Sequence, residues 1–281
     1  MFQIVQKKRL NDSMTQMRVA APFVARKAQA GQFIILRVNE YGERIPLTIA
    51  DYDREAGTVD IIFQKVGKTT LLLDTLEEGD SILDFIGPLG KASELEGYHY
   101  AAVIGGGAGC AIAYPQAKAL HALGAKVDMI AGFRNQDIII LEDEMKAASD
   151  QLYLMTDDGS NGHKGFVTDA LKQNIENGAK YDLVVAIGPL PMMKAVCNLT
   201  KEYGIKTIIS MNSIMIDGTG MCGGCRVTVG GETKFACVDG PDFDGHLVDF
   251  DEVMKRAKTY AELEKESTRE FNCRLMKQAE Q

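Results

Sequence analysis

The chain has 281 residues, 46% of them hydrophobic and 25% charged, the balance of a globular protein with room for two domains. A net charge of −8 argues against a nucleic-acid surface, which needs a basic face. No apolar run reaches the ~18–20 residues of a membrane span, and the N-terminal Met1-Phe2-Gln3-Ile4-Val5 lacks a signal-like apolar core, so a cytoplasmic setting without membrane contact is expected.

Residues 1–97 read as β. Gln32–Val38 and Val59–Val66 have strand length and β-branched content, and Gly79-Asp80 and Gly87-Pro88-Leu89-Gly90 are turns around a strand near Ser81–Ile86. Leu71, Leu72, Leu73 and Leu76 predict one short helix between them. Short strands at this spacing predict a small antiparallel barrel. At residue 98 the rhythm changes. Tyr100–Ile104, Val127–Ala131, Leu152–Met155 and Leu183–Ile187 read as buried strands. Helical stretches alternate with them: one ends near Gly124, and the others lie near 139–149, 166–176 and 190–203. That alternation predicts a parallel, doubly wound sheet over 98–211. Pro115 would be awkward deep inside a helix, so the first of these helices is expected to start close to it. A glycine- and cysteine-rich loop region fills 212–248, and the charged tail 249–281 reads as helical.

The sharpest motif is Asp217-Gly-Thr-Gly-Met-Cys222-Gly-Gly-Cys225, with Cys237 after eleven intervening residues. A plant-type [2Fe–2S] site uses C-x4-C-x2-C and a distant fourth Cys. Cys222, Cys225 and Cys237 fit the last three ligands, and Asp217 stands in the first slot. Asp217 can ligate iron or cap the glycine loop. A zinc site also uses C-x2-C, but it wants four soft or imidazole ligands and no His lies close.

Gly105-Gly106-Gly107-Ala108-Gly109 follows a buried strand and precedes a helix, the setting in which backbone N–H groups receive a pyrophosphate. The dinucleotide fingerprint fails at its third glycine, where Cys110 stands, and Phe133-Arg134 replaces the usual acidic residue. A tight structural turn is the competing reading. Arg44-Ile-Pro46-Leu47-Thr48 offers a guanidinium to a diphosphate and a hydroxyl to a flavin edge; Gly67-Lys-Thr69-Thr70 offers a second anion loop or a plain helix cap. Cys197 and Cys273 read as packing residues, and the four His are scattered.

In this order, the three motifs resemble the ferredoxin–NADP reductase superfamily with a C-terminal [2Fe–2S] domain. Two families within it are close: the dihydroorotate dehydrogenase electron-transfer subunits, and the small subunits of NADH-dependent ferredoxin:NADP oxidoreductases. The former carry Cys in the first ligand place; the latter resemble this chain in carrying Asp. The resemblance implies FAD contacts at Arg44, Pro46, Leu47, Thr48, Phe63, Gln64, Gly67, Thr69 and Thr70. It implies NAD(H) contacts at Gly106, Gly107, Gly109, Cys110, Gly132, Arg134, Asp157, Asp158, Gly188 and Pro189. It implies a cluster held by Asp217, Cys222, Cys225 and Cys237, and a partner subunit carrying flavin and [4Fe–4S] clusters in a heterodimer or larger complex.

Overall fold

The computed structural model describes the backbone of residues 1–279 and the side chains of residues 1–271, so the Cys273 side chain and the last two residues of the expected tail lie outside it. Strands β1 (Phe2–Arg9) and β2 (Met14–Ala20) pair antiparallel. Their turn is held by Asn11, whose side-chain oxygen accepts from the Ser13 N–H at 2.9 Å and the Ser13 hydroxyl at 3.0 Å. A one-turn helix α1 (Pro22–Ala25) leads to β3 (Phe33–Arg37), β4 (Ile45–Asp53) and β5 (Thr58–Gln64). Helix α2 (Lys68–Asp74), β6 (Ser81–Ile82) and β7 (Asp84–Leu89) complete the unit.

The seven strands form one antiparallel sheet in the order β6-β1-β2-β5-β4-β3-β7, curled round a core of Met17, Val19, Ile34, Leu36, Ile49, Ile61 and Phe85. The expected antiparallel barrel is therefore present. Its last strand is longer than the turn chemistry predicts. β7 runs on through Gly87-Pro88-Leu89, with Leu89 opposite Phe33. Gly87 permits this because a Cβ there would stand 2.6 Å from Ile34 Cγ2.

The next unit alternates β8 (Tyr100–Gly106), α3 (Cys110–Ala122), β9 (Lys126–Phe133), α4 (Glu142–Ala147) and β10 (Gln151–Thr156). It continues with α5 (Val167–Glu176), β11 (Leu183–Ile187), α6 (Leu190–Glu202) and β12 (Thr207–Ser210). β8 and β11 are almost wholly buried, as strands covered on both faces must be. α3 departs from expectation: Pro115 lies inside it rather than at its start. The helix has to begin at Cys110 because the preceding turn is pressed against β11, where a Cβ on Gly109 would lie 2.3 Å from the Ile187 carbonyl oxygen. Close packing at the helix start outweighs the single intrahelical bond that proline forfeits.

Beyond a long loop come β13 (Arg226–Val229), β14 (Glu232–Phe235) and β15 (Asp242–Asp244), then α7 (Phe250–Arg256) and α8 (Ala261–Ala279). β13 and β14 make a separate hairpin. β15 instead joins the second sheet, whose order is β10-β9-β8-β11-β12-β15. Its pairing is parallel except at this edge, where Asp242 lies opposite Ser210. The cysteine-bearing segment thus lends its last strand to the nucleotide-type sheet. Among the described residues, no helix is long and apolar enough to cross a membrane.

Candidate functional site

The carboxyl ends of β8 to β12 and the inner edge of the barrel enclose a cavity of about 1050 Å3. Ligands in open α/β sheets bind at this end, beside the point where strand order reverses. Here the reversal falls between β8 and β11, and two glycine turns meet there. A Cβ on Gly106 would stand 2.4 Å from Met192 Sδ, and one on Gly188 would come 3.1 Å from the Gly106 backbone. These glycines exist for contact between the turns. Gly107 is different: its φ is 55° and nothing lies within 4 Å of where its Cβ would be, so it opens a cradle beside the start of α3. Helix N–H groups and an uncrowded backbone suit a pyrophosphate.

Eleven candidate residues line the cavity: Pro46, Thr48 and Gln64 from the barrel, and Gly106, Gly107, Gly109, Gly132, Arg134, Asp157, Gly188 and Pro189 from the sheet. Arg44 stands just before β4, half-buried, with its Nε buried and without an acceptor. An orphaned guanidinium N–H fits a diphosphate oxygen. The other candidates lie elsewhere. Phe63 is buried in the barrel core and Leu47 packs against it. Thr69 donates to the Glu43 carboxylate at 3.3 Å, while the Thr70 hydroxyl accepts from the Val66 and Gly67 N–H groups at 3.1 Å each, capping α2. Asp158 accepts from the Ser160 hydroxyl and N–H, which hold its carboxyl below the usual range. Cys110 is buried, and desolvation pushes its thiol up to about 12, so it packs as a small apolar residue.

The cavity also recruits Phe33, Ser210, Met211, Met215 and Pro241, which no motif marks. Their positions beside β12 and on β3 are set by tertiary packing alone.

The cysteine site follows from a hairpin. Cys225 precedes β13 and Cys237 follows β14 by one residue. The eleven residues between them are two four-residue strands, the Gly230-Gly231 turn with φ of 60° and 83°, and Ala236. Positive φ at both turn positions is what a tight two-residue hairpin requires. The hairpin brings Cys225 Sγ and Cys237 Sγ to 3.2 Å. Cys225 Sγ also accepts from the Cys237 N–H, and the exposed Cys222 Sγ from the Gly224 N–H, both at 3.4 Å. Asp217 Oδ1 accepts from the Thr219 N–H at 2.9 Å and its Oδ2 from the Cys222 N–H at 2.8 Å. These amides keep its carboxyl below the ordinary range, the Thr219 N–H foremost.

Two guanidiniums fix the loop: Arg226 donates to the Gly223 carbonyl at 3.2 Å and Arg256 of α7 to that of Gly224 at 3.0 Å. The loop rests on the barrel, since a Cβ on Gly218 would lie 2.7 Å from Leu89 and 2.8 Å from Ile35. Among the described residues, no three His, Cys, Asp or Glu side chains converge as a single-ion site demands. The donor set is three thiols and one carboxylate at the spacing of a plant-type [2Fe–2S] loop. The residues fit a [2Fe–2S] cluster better than zinc.

Fold and site together define an oxidoreductase of the ferredoxin–NADP reductase type. Residues 103–198 match the oxidoreductase NAD-binding domain, and residues 212–249 match the iron–sulfur cluster binding domain of dihydroorotate dehydrogenase B. A dihydroorotate dehydrogenase B (NAD(+)) electron transfer subunit homolog from Thermotoga maritima is 47% identical, with 96% of this chain and 95% of that protein covered. The electron transfer subunit from Fusobacterium nucleatum is 34% identical over 80% of this chain and 89% of its own. The chain belongs to this family of electron-transfer subunits and their homologues. A solved structure of the NADH-dependent reduced ferredoxin-NADP oxidoreductase, studied for flavin-based electron bifurcation, superposes with a TM-score of 0.91 at 46% identity, covering 96% of this chain and 97% of that one. The cytochrome b5 reductase domain of Ulva prolifera nitrate reductase shares the fold at 17% identity and a TM-score of 0.59, over 74% of this chain and 95% of its own. The expected cofactors, FAD, a [2Fe–2S] cluster and NAD(H), agree with these matches.

Proposed function

We propose that this chain is the electron-transfer flavoprotein subunit of an electron-bifurcating, NADH-dependent ferredoxin:NADP oxidoreductase. It passes electrons between NAD(H), FAD and a [2Fe–2S] cluster. The observation that carries the reading is a continuous arrangement: nucleotide cradle and barrel wall surround one cavity, Asn212 and Met215 at the entry to the cluster loop also line it, and the loop itself rests on β3 and β7 through Gly218. FAD, when bound, supplies the conversion between hydride chemistry and single electrons.

The chain's own residues bind and orient. Arg44 holds the flavin diphosphate through its unpartnered Nε. Pro46 and Thr48 wall the cavity on the barrel side. Gly107 and the start of α3 receive the nicotinamide dinucleotide's pyrophosphate, and Gly188-Pro189 closes the opposite side. Asp217, Cys222, Cys225 and Cys237 ligate the cluster. The working division is 1–97 for flavin, 98–211 for nucleotide, 212–248 for the cluster and 249–281 for the tail, with β15 returning to the nucleotide sheet.

The curated relatives favour a second reading, the electron-transfer subunit of an NAD-dependent dihydroorotate dehydrogenase. Asp217 in place of a first Cys argues for the former. In either case the partner is a larger subunit, and the first reading makes it a flavin and [4Fe–4S] protein. Purification with the native partner tests this. Flavin and [2Fe–2S] absorbance, bleached by NADH, is expected, with a co-purifying subunit rich in [4Fe–4S] iron. A partner that oxidises dihydroorotate would favour the second reading, and a colourless complex would overturn both.

A further inference from the structure

Asp242 opens β15 and sits where four parts of the chain meet. Ser93, in the loop leaving the barrel, donates its hydroxyl to Asp242 Oδ2 at 2.5 Å. Gln116 of α3 donates its amide at 3.2 Å, and Ser210 of β12, opposite in register, is a third donor. Every donor is neutral. The charged groups of the surrounding elements are turned away or engaged. Lys91 and Glu94 of the barrel loop are exposed. Lys118 of α3 is held by Asp51 at 2.8 Å. β12 carries no charge, and Asp244 on β15 is exposed and accepts from the His246 N–H. Asp242 is therefore a half-buried carboxylate without a countercharge. Desolvation pushes its carboxyl above the ordinary range, against the pull of the three donors.

Gln116 serves both protonation states. Its Nε2 faces the carboxylate, while its Oε1 is buried without a donor. Rotating the amide by half a turn would present that oxygen to a protonated acid, which has an O–H to give. The network also adjoins the cavity, since Ser210 and Pro241 are part of its lining. Negative charge arriving in the cavity is felt strongly across such a weakly polar wall.

We infer that Asp242 is a proton-linked positioning residue, which binds a solvent proton when the flavin in the adjacent cavity is reduced. The inference rests on the flavoprotein reading above. Its balance is simple. Two electrons enter the cavity as hydride from the nicotinamide, and one solvent proton adds to a carboxylate oxygen of Asp242, leaving it neutral. No other bond forms or breaks at this residue.

The test is the flavin midpoint potential against pH in the holoprotein, for the native chain, Asp242→Asn and Ser93→Ala. One extra proton per two electrons changes the equilibrium tenfold per pH unit, or about 30 mV. The native protein should show a pH interval steeper by that amount, and Asp242→Asn should lack it. Ser93→Ala removes a donor to the charged form, so its steep interval should reach to higher pH, which a merely structural contact would not cause. The reduced-minus-oxidised infrared spectrum should contain a protonated-carboxyl band that Asp242→Asn abolishes. Equal slopes in native and variant, with no such band, overturn the inference while leaving the flavoprotein reading intact. A holoprotein without flavin absorbance overturns both.

Discussion

Arg44 carries its Nε into the protein without an acceptor, and a buried orphan donor costs about 1–3 kcal/mol unless a ligand satisfies it. A flavin diphosphate would do so. Arg44→Ala should lose a charge-assisted bond of roughly 1.5–3 kcal/mol, a weakening of about 10- to 150-fold in flavin affinity. Flavin content after dialysis measures it, and full occupancy in the variant would remove Arg44 from the site. Asp217 poses the opposite case, because both its oxygens already accept loop N–H groups. A carboxylate can keep one such bond and still offer iron an oxygen. It is a weaker donor than thiolate, so it favours the reduced cluster and raises the potential. Asp217→Cys should therefore still assemble a cluster, with a spectrum nearer the all-Cys type and a lower potential. If spectrum and potential stay as in the native protein, Asp217 only caps the loop.

At the level of elements, the glycine loop before α3 divides its labour by position. Gly106 and Gly109 serve the packing of two turns, whereas Gly107 faces open space with φ 55°. Gly107→Val should cost about 1–2 kcal/mol of stability, the penalty for a branched residue in the left-handed region. It should also block NAD(H), since the side chain fills the cradle, while flavin and cluster content remain normal. Stopped-flow reduction of the flavin by NADH reads this, and native rates would move the nucleotide elsewhere. The same elements show what sequence can reveal. Runs such as Ala101–Ile104 and Leu183–Ile187 are legible as strands because both faces are buried. The cysteine spacing is legible because eleven residues make one hairpin. Three features are not local. β7 continues through Gly87-Pro88 because Ile34 lies so close, Pro115 is carried inside α3 by packing at Gly109, and β15 finds its place only by pairing with β12. Apolar cavity residues such as Phe33, Met211 and Met215 carry no chemical motif, so their role emerges only when the units come together.

Across the whole molecule, the C-terminal segment divides into a part that serves the chain and a part with surface to spare. In α7, Val253 is buried and Met254 packs on the core shared with the hairpin, so neither is free for a partner. Asp249 caps this helix, accepting from the N–H groups of Asp251 and Glu252, and Arg256 in its last turn holds the cluster loop at Gly224. Past Lys258 the character changes. Tyr260 and Leu263 are half or more exposed, and α8 runs on to pack beside α2 of the barrel. An exposed leucine on a charged helix, with an exposed tyrosine in the turn just before it, suits a docking face for the larger subunit. Deleting the residues after Lys258 keeps α7 and the Arg256 anchor, so the [2Fe–2S] absorbance should be unchanged. Association should weaken, with less of the large subunit retained on an affinity-tagged truncated chain at matched concentration. Leu263→Asp should reduce retention in the same direction without shortening the helix. Undiminished co-purification of both variants would assign α8 to the chain's own stability through α2, and the truncation would then lower the thermal midpoint and flavin retention instead.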